Sequence, residues 1–188
     1  MSTANPRLIQ DHCALVIVDL QEKLVPAIFE NERVLRNASL LIECAKILKL
    51  PFLLTQQYPK GLGATVSAIR DRIPPCVQPI DKLEFGCFNN AGFRVAAQAL
   101  KPQRHTLLLA GIESHICVTQ TALGAVAEGF RVHLAADATS SRSEFNWRIG
   151  LDRMKESGVQ ISSTEMMIYE LLGQSGSPEF KAMLAYLK

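Results

Sequence analysis

Asp19, Lys82 and Cys117 are the side chains in this sequence whose types could together do covalent chemistry. A cysteine attacks as its thiolate, so it needs a base to take its proton or surroundings that lower its pKa. A carboxylate within hydrogen-bond reach can be that base, and a lysine beside both keeps the carboxylate charged and steadies the thiolate. Each residue alone has a plainer explanation. Free cysteine commonly behaves as a small core hydrophobe. An aspartate past a strand caps a turn or helix, and a lysine is usually a solvated charge. What joins the three is position. Each follows an apolar, strand-like run, at the edge where open α/β sheets bind ligands.

Those runs define the elements that must hold the three residues. Residues 13–20, CALVIVDL, are apolar except for Asp19, as expected of a strand buried on both faces. Further strands are predicted at 52–55, 77–80, 106–110, 130–136 and 159–162. Helical periodicity falls between them, at 32–50, 64–72, 91–100, from Ser114 onward, and at 145–155, 166–172 and 178–187. Gly111 is read as the end of the fourth strand, which places Cys117 in the first turn of the next helix. There, unpaired N–H groups and the positive dipole end would lower a thiol's pKa and stabilise an oxyanion. Six strands alternating with helices predict an α/β three-layer sandwich with a six-stranded, mostly parallel sheet, as a single domain over 1–188.

Composition narrows the function classes. Of 188 residues, 48% are hydrophobic and 20% charged, as in ordinary globular chains, and 20 basic against 18 acidic residues leave a net charge of +2. No Lys/Arg cluster points to nucleic acid or a membrane surface. The amino-terminal stretch MSTANPRLIQDH has no apolar signal core, so a cytoplasmic location is expected. The five cysteines at 13, 44, 76, 87 and 117 are odd in number and contain no CxxC pair, against a disulfide framework or a zinc cluster. Cys87, in the segment after Lys82, is read as core with the pocket as the alternative. The histidines are assigned no role: His12 and His105 precede strands, His133 lies in one, and His115 is about 200° round a helix from Cys117.

Taken together, several stretches resemble the isochorismatase-like cysteine hydrolases, a family with a Rossmann-like sheet. They are Val16-Ile-Val-Asp19-Leu-Gln21, Lys82 with Phe85-Gly-Cys-Phe88, Gly111-Ile-Glu-Ser-His-Ile-Cys117-Val118 and Asp137-Ala-Thr-Ser-Ser-Arg142. The loop TQQYPKGLG and the ending Ser163-Thr-Glu165 are similar to the isochorismatase domain-containing subgroup. The resemblance implies Asp19 as base, Lys82 as electrostatic partner and Cys117 as nucleophile. It also implies a cis peptide before Glu113, with the N–H groups of Glu113 and Cys117 forming an oxyanion hole. Gln21, Gln56, Tyr58, Phe85 and Ile112 are the expected pocket residues. Nicotinamidases of this superfamily bind metal through histidines in the loop after the second strand. TQQYPKGLG has none, so no metal and no cofactor are expected. Isochorismatase proper lacks the cysteine, so Cys117 argues for attack on an amide or carbamoyl carbonyl of a small molecule. Family members usually self-associate, and the apolar terminal helix is expected to contribute to a homo-oligomer, a dimer or larger. A redox protein with a low-pKa Cys117, or a non-enzymatic small-molecule-binding protein, are the alternatives.

Overall fold

The structure, a computed structural model, describes residues 7–187. Six parallel strands form one sheet in the order β3-β2-β1-β4-β5-β6. They are β1 (Cys13–Val18), β2 (Phe52–Gln57), β3 (Ile80–Lys82), β4 (Thr106–Ile112), β5 (Arg131–Ser140) and β6 (Gln160–Ser162). Every residue of β1 and β4 is buried, because helices cover both faces of a parallel sheet. On one face α1 (Asn31–Ile47), α7 (Thr164–Leu172) and α8 (Pro178–Met183) close over Leu15, Ile17, Leu54, Leu108 and Ile112. On the other, α4 (Ala91–Ala99), α5 (Thr119–Ala127) and α6 (Glu144–Glu156) close over Val16, Val18, Leu107 and Leu109.

The chain fills the sheet from its centre: β2 and β3 lie on one side of β1, β4 to β6 on the other. The carboxyl ends of β1 and β4 therefore meet where the strand order reverses, and connections lead away from that point to both sides, opening a crevice. Asp19 leaves β1 there, and the segment containing Cys117 leaves β4 there.

Four of the boundaries that differ from the sequence expectation bear on the crevice. Gly111 does not end β4; it lies inside the strand, opposite Val18, with φ of 127°. A Cβ at this position would collide with the Val18 carbonyl, so glycine is what lets the two backbones approach. β2 runs two residues further than predicted, to Gln57, and β5 four further, to Ser140. β3 begins at Ile80, so Lys82 closes a strand rather than sitting in a loop. Two short helices, α2 (Pro59–Leu62) and α3 (Ser67–Arg70), replace the predicted loop and longer helix after β2.

Candidate functional site

Asp19 follows the apolar strand directly, with φ of 51°, and is fully buried. A buried carboxylate needs partners, and β2 and β3 supply two. Thr55 Oγ1 donates to Asp19 Oδ1 at 2.7 Å, and Lys82 Nζ donates to Asp19 Oδ2 at 2.6 Å. Lys82 reaches Asp19 from the end of β3, across β2. Its ammonium also donates to Gln57 Oε1 at 2.7 Å and to the carbonyls of Glu84 and Phe85, both at 3.2 Å. Four oxygens around three N–H groups leave the cation fully partnered with its side chain out of solvent. Burial works against the Lys82 ammonium, but Asp19 opposite it, reinforced by the thiols of Cys87 and Cys117, holds its pKa above the ordinary lysine value.

Cys117 comes from β4. The Ile112–Glu113 peptide is cis, and Ser114–Val118 then forms a π-helical turn before α5 begins. This segment is tied on all sides. Ser114 Oγ donates to the Ser140 carbonyl at 3.0 Å, and Thr119 Oγ1 donates to the Ser114 carbonyl at 2.5 Å. The Arg142 N–H and Nε both donate to Glu113 Oε2, at 2.9 and 3.1 Å. His115 Nδ1 pairs with Ser141 Oγ at 2.9 Å. Gly150 of α6 lies so close to the His115 backbone that a Cβ there would sit 3.0 Å from its nitrogen. The stretch after β5 thus acts as a brace for the turn that carries the cysteine.

The thiol is not in the state expected of a helix terminus. Burial pushes Cys117 up to about 12; the Asp19 carboxylate adds to this, also by accepting the thiol's hydrogen bond, while Lys82 pulls the other way. The thiol donates to the carboxylate and keeps its proton, because burial disfavours the thiolate. Cys87 is also fully buried beside this group. Its thiol lies 3.9 Å from Thr55 Oγ1, and burial first and Asp19 second push it up to about 11.

The structure thus brings Asp19, Lys82 and Cys117 together. It separates the five expected pocket residues. Gln21 is buried, and its amide is consumed by the backbone: Nε2 donates to the carbonyls of Gln57 and Gly63, and Oε1 accepts from Gln57 N–H at 2.7 Å. Gln56 lies on the opposite face of β2 from Thr55 and Gln57, where Nε2 donates to Thr65 Oγ1 at 2.8 Å. Ile112 points into the core under α1 rather than towards Cys117, since side chains alternate along a strand. Tyr58 and Phe85 are half exposed at the rim, and Phe85 contributes its carbonyl to Lys82. Thr55 and Gln57 are the contacts that sequence reading missed. Their spacing of two on one strand carried the signal, but it was hidden by ending β2 at Thr55. Among the described residues no group of three or more His, Cys, Asp or Glu side chains is placed to hold a metal ion.

A model of the isochorismatase domain matches residues 13–166. A secreted isochorismatase effector of Phytophthora sojae is 35% identical over 97% of this chain and 87% of its own length. Isochorismatase domain-containing protein 2B of Mus musculus is 34% identical over 97% of this chain and 84% of its own. Among solved structures, a MAR1 ribonuclease from Caenorhabditis elegans superposes with a TM-score of 0.89 at 31% identity, covering 96% of this chain and 92% of that one. The Escherichia coli YcaC product, described as an octameric hydrolase of unknown specificity, superposes with a TM-score of 0.87 at 26% identity, covering 99% and 89%.

Proposed function

The chain belongs to the isochorismatase domain family, and on that premise we propose that it is a cysteine hydrolase cleaving a C–N bond of a small amide or carbamoyl compound. The observation that carries this reading is the buried Asp19–Lys82 ion pair with the Cys117 thiol hydrogen-bonded to its carboxylate. In the resting state the thiol keeps its proton. As the Cys117 sulfur bonds to the substrate carbonyl carbon, its proton passes to Asp19, and the Lys82 ammonium then faces the new charge. The N–H groups of Glu113 and Cys117 hold the carbonyl oxygen as it becomes an oxyanion. The C–N bond breaks, Asp19 returns the proton to the leaving nitrogen, and a thioester remains. Water attacks it, giving a proton to Asp19, and collapse releases the acid and the thiol. No step requires a cofactor.

The raised thiol weighs against the redox alternative, which needs a thiolate at neutral pH. RNA as a substrate, which the name of the nematode structure brings up, is disfavoured by the cleft beside Lys82. Its outer walls carry Asp81 and Glu84 against Lys60 alone. Self-association and a cytoplasmic location belong to the same proposal. The first is supported by the octameric description of YcaC, the second by five free cysteines.

A screen of small amides and ureas for ammonia release, with intact-mass detection of an acyl adduct on Cys117, tests the reading. Asp19→Asn should lower kcat by about 10²–10⁴-fold, the usual loss of a general base, and Cys117→Ala should abolish both turnover and adduct. Turnover that survives Cys117→Ala would sink it.

A further inference from the structure

Lys82 reaches Asp19 over β2, and two side chains of that strand hold the ends of the ion pair. Gln57 holds the ammonium and Thr55 the carboxylate. The two ends differ in one respect. In the proposed reaction the ammonium keeps its charge, while the carboxylate gains and loses a proton. Thr55 is therefore bonded to the group whose charge changes.

Thr55 is fully buried and lies opposite Val18 in register, which sets it beside the first residue after β1. Its carbonyl accepts the Asp19 N–H at 3.3 Å, and its hydroxyl donates to Asp19 Oδ1 at 2.7 Å. One residue thus holds both the backbone and the side chain of Asp19. The direction of the second bond is fixed, because a carboxylate has no proton to give. On the other side of the hydroxyl, Cys87 Sγ is placed to donate to it at 3.9 Å. Cys87 is itself tied to α5, where its N–H donates to Thr121 Oγ1 at 3.0 Å, four residues beyond Cys117.

A donor fixed on a carboxylate favours its charged form over its protonated form. The proton shared between Cys117 and Asp19 is thereby pushed towards the sulfur. Lys82 acts on both partners, since its charge also favours the thiolate. The Thr55 hydroxyl gives its one proton to Asp19, so its effect runs one way. We infer that Thr55 is a positioning residue acting through Asp19: its hydroxyl keeps the resting proton on Cys117 and, once Asp19 has taken that proton, favours its return to the leaving nitrogen. The second half rests on the hydrolase reading; the first does not, and it is measurable without turnover.

Iodoacetamide alkylates a cysteine as its thiolate, forming the S–C bond and releasing iodide. Its rates at Cys117 and Cys87, read by peptide mass spectrometry at neutral pH, are compared between the parent, Thr55→Val and Thr55→Ser. Cys87 is fully buried against Thr55 and reports any loosening of the packing. Thr55→Val keeps the shape and removes the donor. It should raise the Cys117 rate by about threefold or more with no rise at Cys87, because the reactive fraction is the thiolate. Thr55→Ser should restore the parent rate. A Cys117 rate that stays the same or falls in Thr55→Val overturns the inference, no reaction in either protein included. So does a rise at both cysteines together, which is loosening. With a substrate from the amide screen, Thr55→Val should lower kcat by about threefold or more and leave KM near the parent value, with Thr55→Ser recovering kcat. The two readings fail separately. The expected alkylation pattern with no amide hydrolysed removes the hydrolase reading and leaves Thr55 in control of the thiol. Hydrolysis by Thr55→Val at the parent kcat keeps the hydrolase and overturns the part of Thr55 in it.

Discussion

Gln57 shows how closely the candidate site is tied at the scale of one side chain. Its Oε1 takes one proton of the Lys82 ammonium, and its Nε2 donates to the Leu83 carbonyl at 2.8 Å, so it joins the cation to the wall of the cleft. Gln57→Leu keeps similar bulk, removes one of the four oxygens around the Lys82 ammonium and takes the donor from the Leu83 carbonyl. It should cost about 1–3 kcal/mol of stability by chemical denaturation, the usual range when a hydrogen bond to a buried charge is lost. If Gln57 positions Lys82, the variant should also lower kcat more than it changes KM, whereas a purely structural role would move stability alone. Thr55 and Gln57 were legible in principle, as alternate residues of one strand, but a strand's end is weakly marked when its last residues are polar. Asp19 and Cys117 stood out by position, each following an apolar strand-like run, although each type alone has a bland use. Lys82 stood out only together with them.

At the scale of one element, β5 carries a second buried titratable group that the site does not use. His133 faces α7 and is buried, with neither ring nitrogen hydrogen-bonded. Burial lowers its pKa, and Arg131 lowers it further, while Glu170 acts in the other direction. The folded state therefore holds the ring neutral at a pH where the unfolded chain protonates it. Since the unfolded state then binds more protons, stability falls as pH drops below about 6.5, the ordinary histidine value. His133→Leu removes that term. Its stability relative to the parent should improve between pH 7.5 and pH 5 in urea denaturation; equal pH dependence of the two proteins would show that His133 is not the cause. The sequence put His133 in a strand correctly but could not say which neighbours, if any, it would find, because those come from α7, more than thirty residues along the chain.

For the whole molecule, the terminal helix is less available for association than its apolar pattern implied. Met183 of α8 is fully buried in the chain's own core, and Leu187 packs against the same cluster. Among the described residues Leu83, Val95 and Phe145, each more than 70% exposed, are the most exposed of the large apolar side chains open to a second copy. Light scattering should give a particle mass of at least twice 20.7 kDa, and Phe145→Asp with Val95→Asp should reduce it; a monomer at all concentrations would sink the oligomer. By itself the sequence determined the class of the fold, six strands alternating with helices, because the alternation of apolar runs and helical periods is a local property. It determined Asp19, Lys82 and Cys117 as candidates by the same local logic, each at the end of a run. Only the tertiary structure decided that β3 lies two strands from β1 on one side while β4 adjoins it on the other, so that the three residues share one buried site. Tertiary structure also decided that Gln21, Gln56 and Ile112 serve the scaffold, and that Cys117 rests as a thiol. Side-chain direction, burial and pKa depend on which elements pack together, and those contacts are made by residues far apart in the chain.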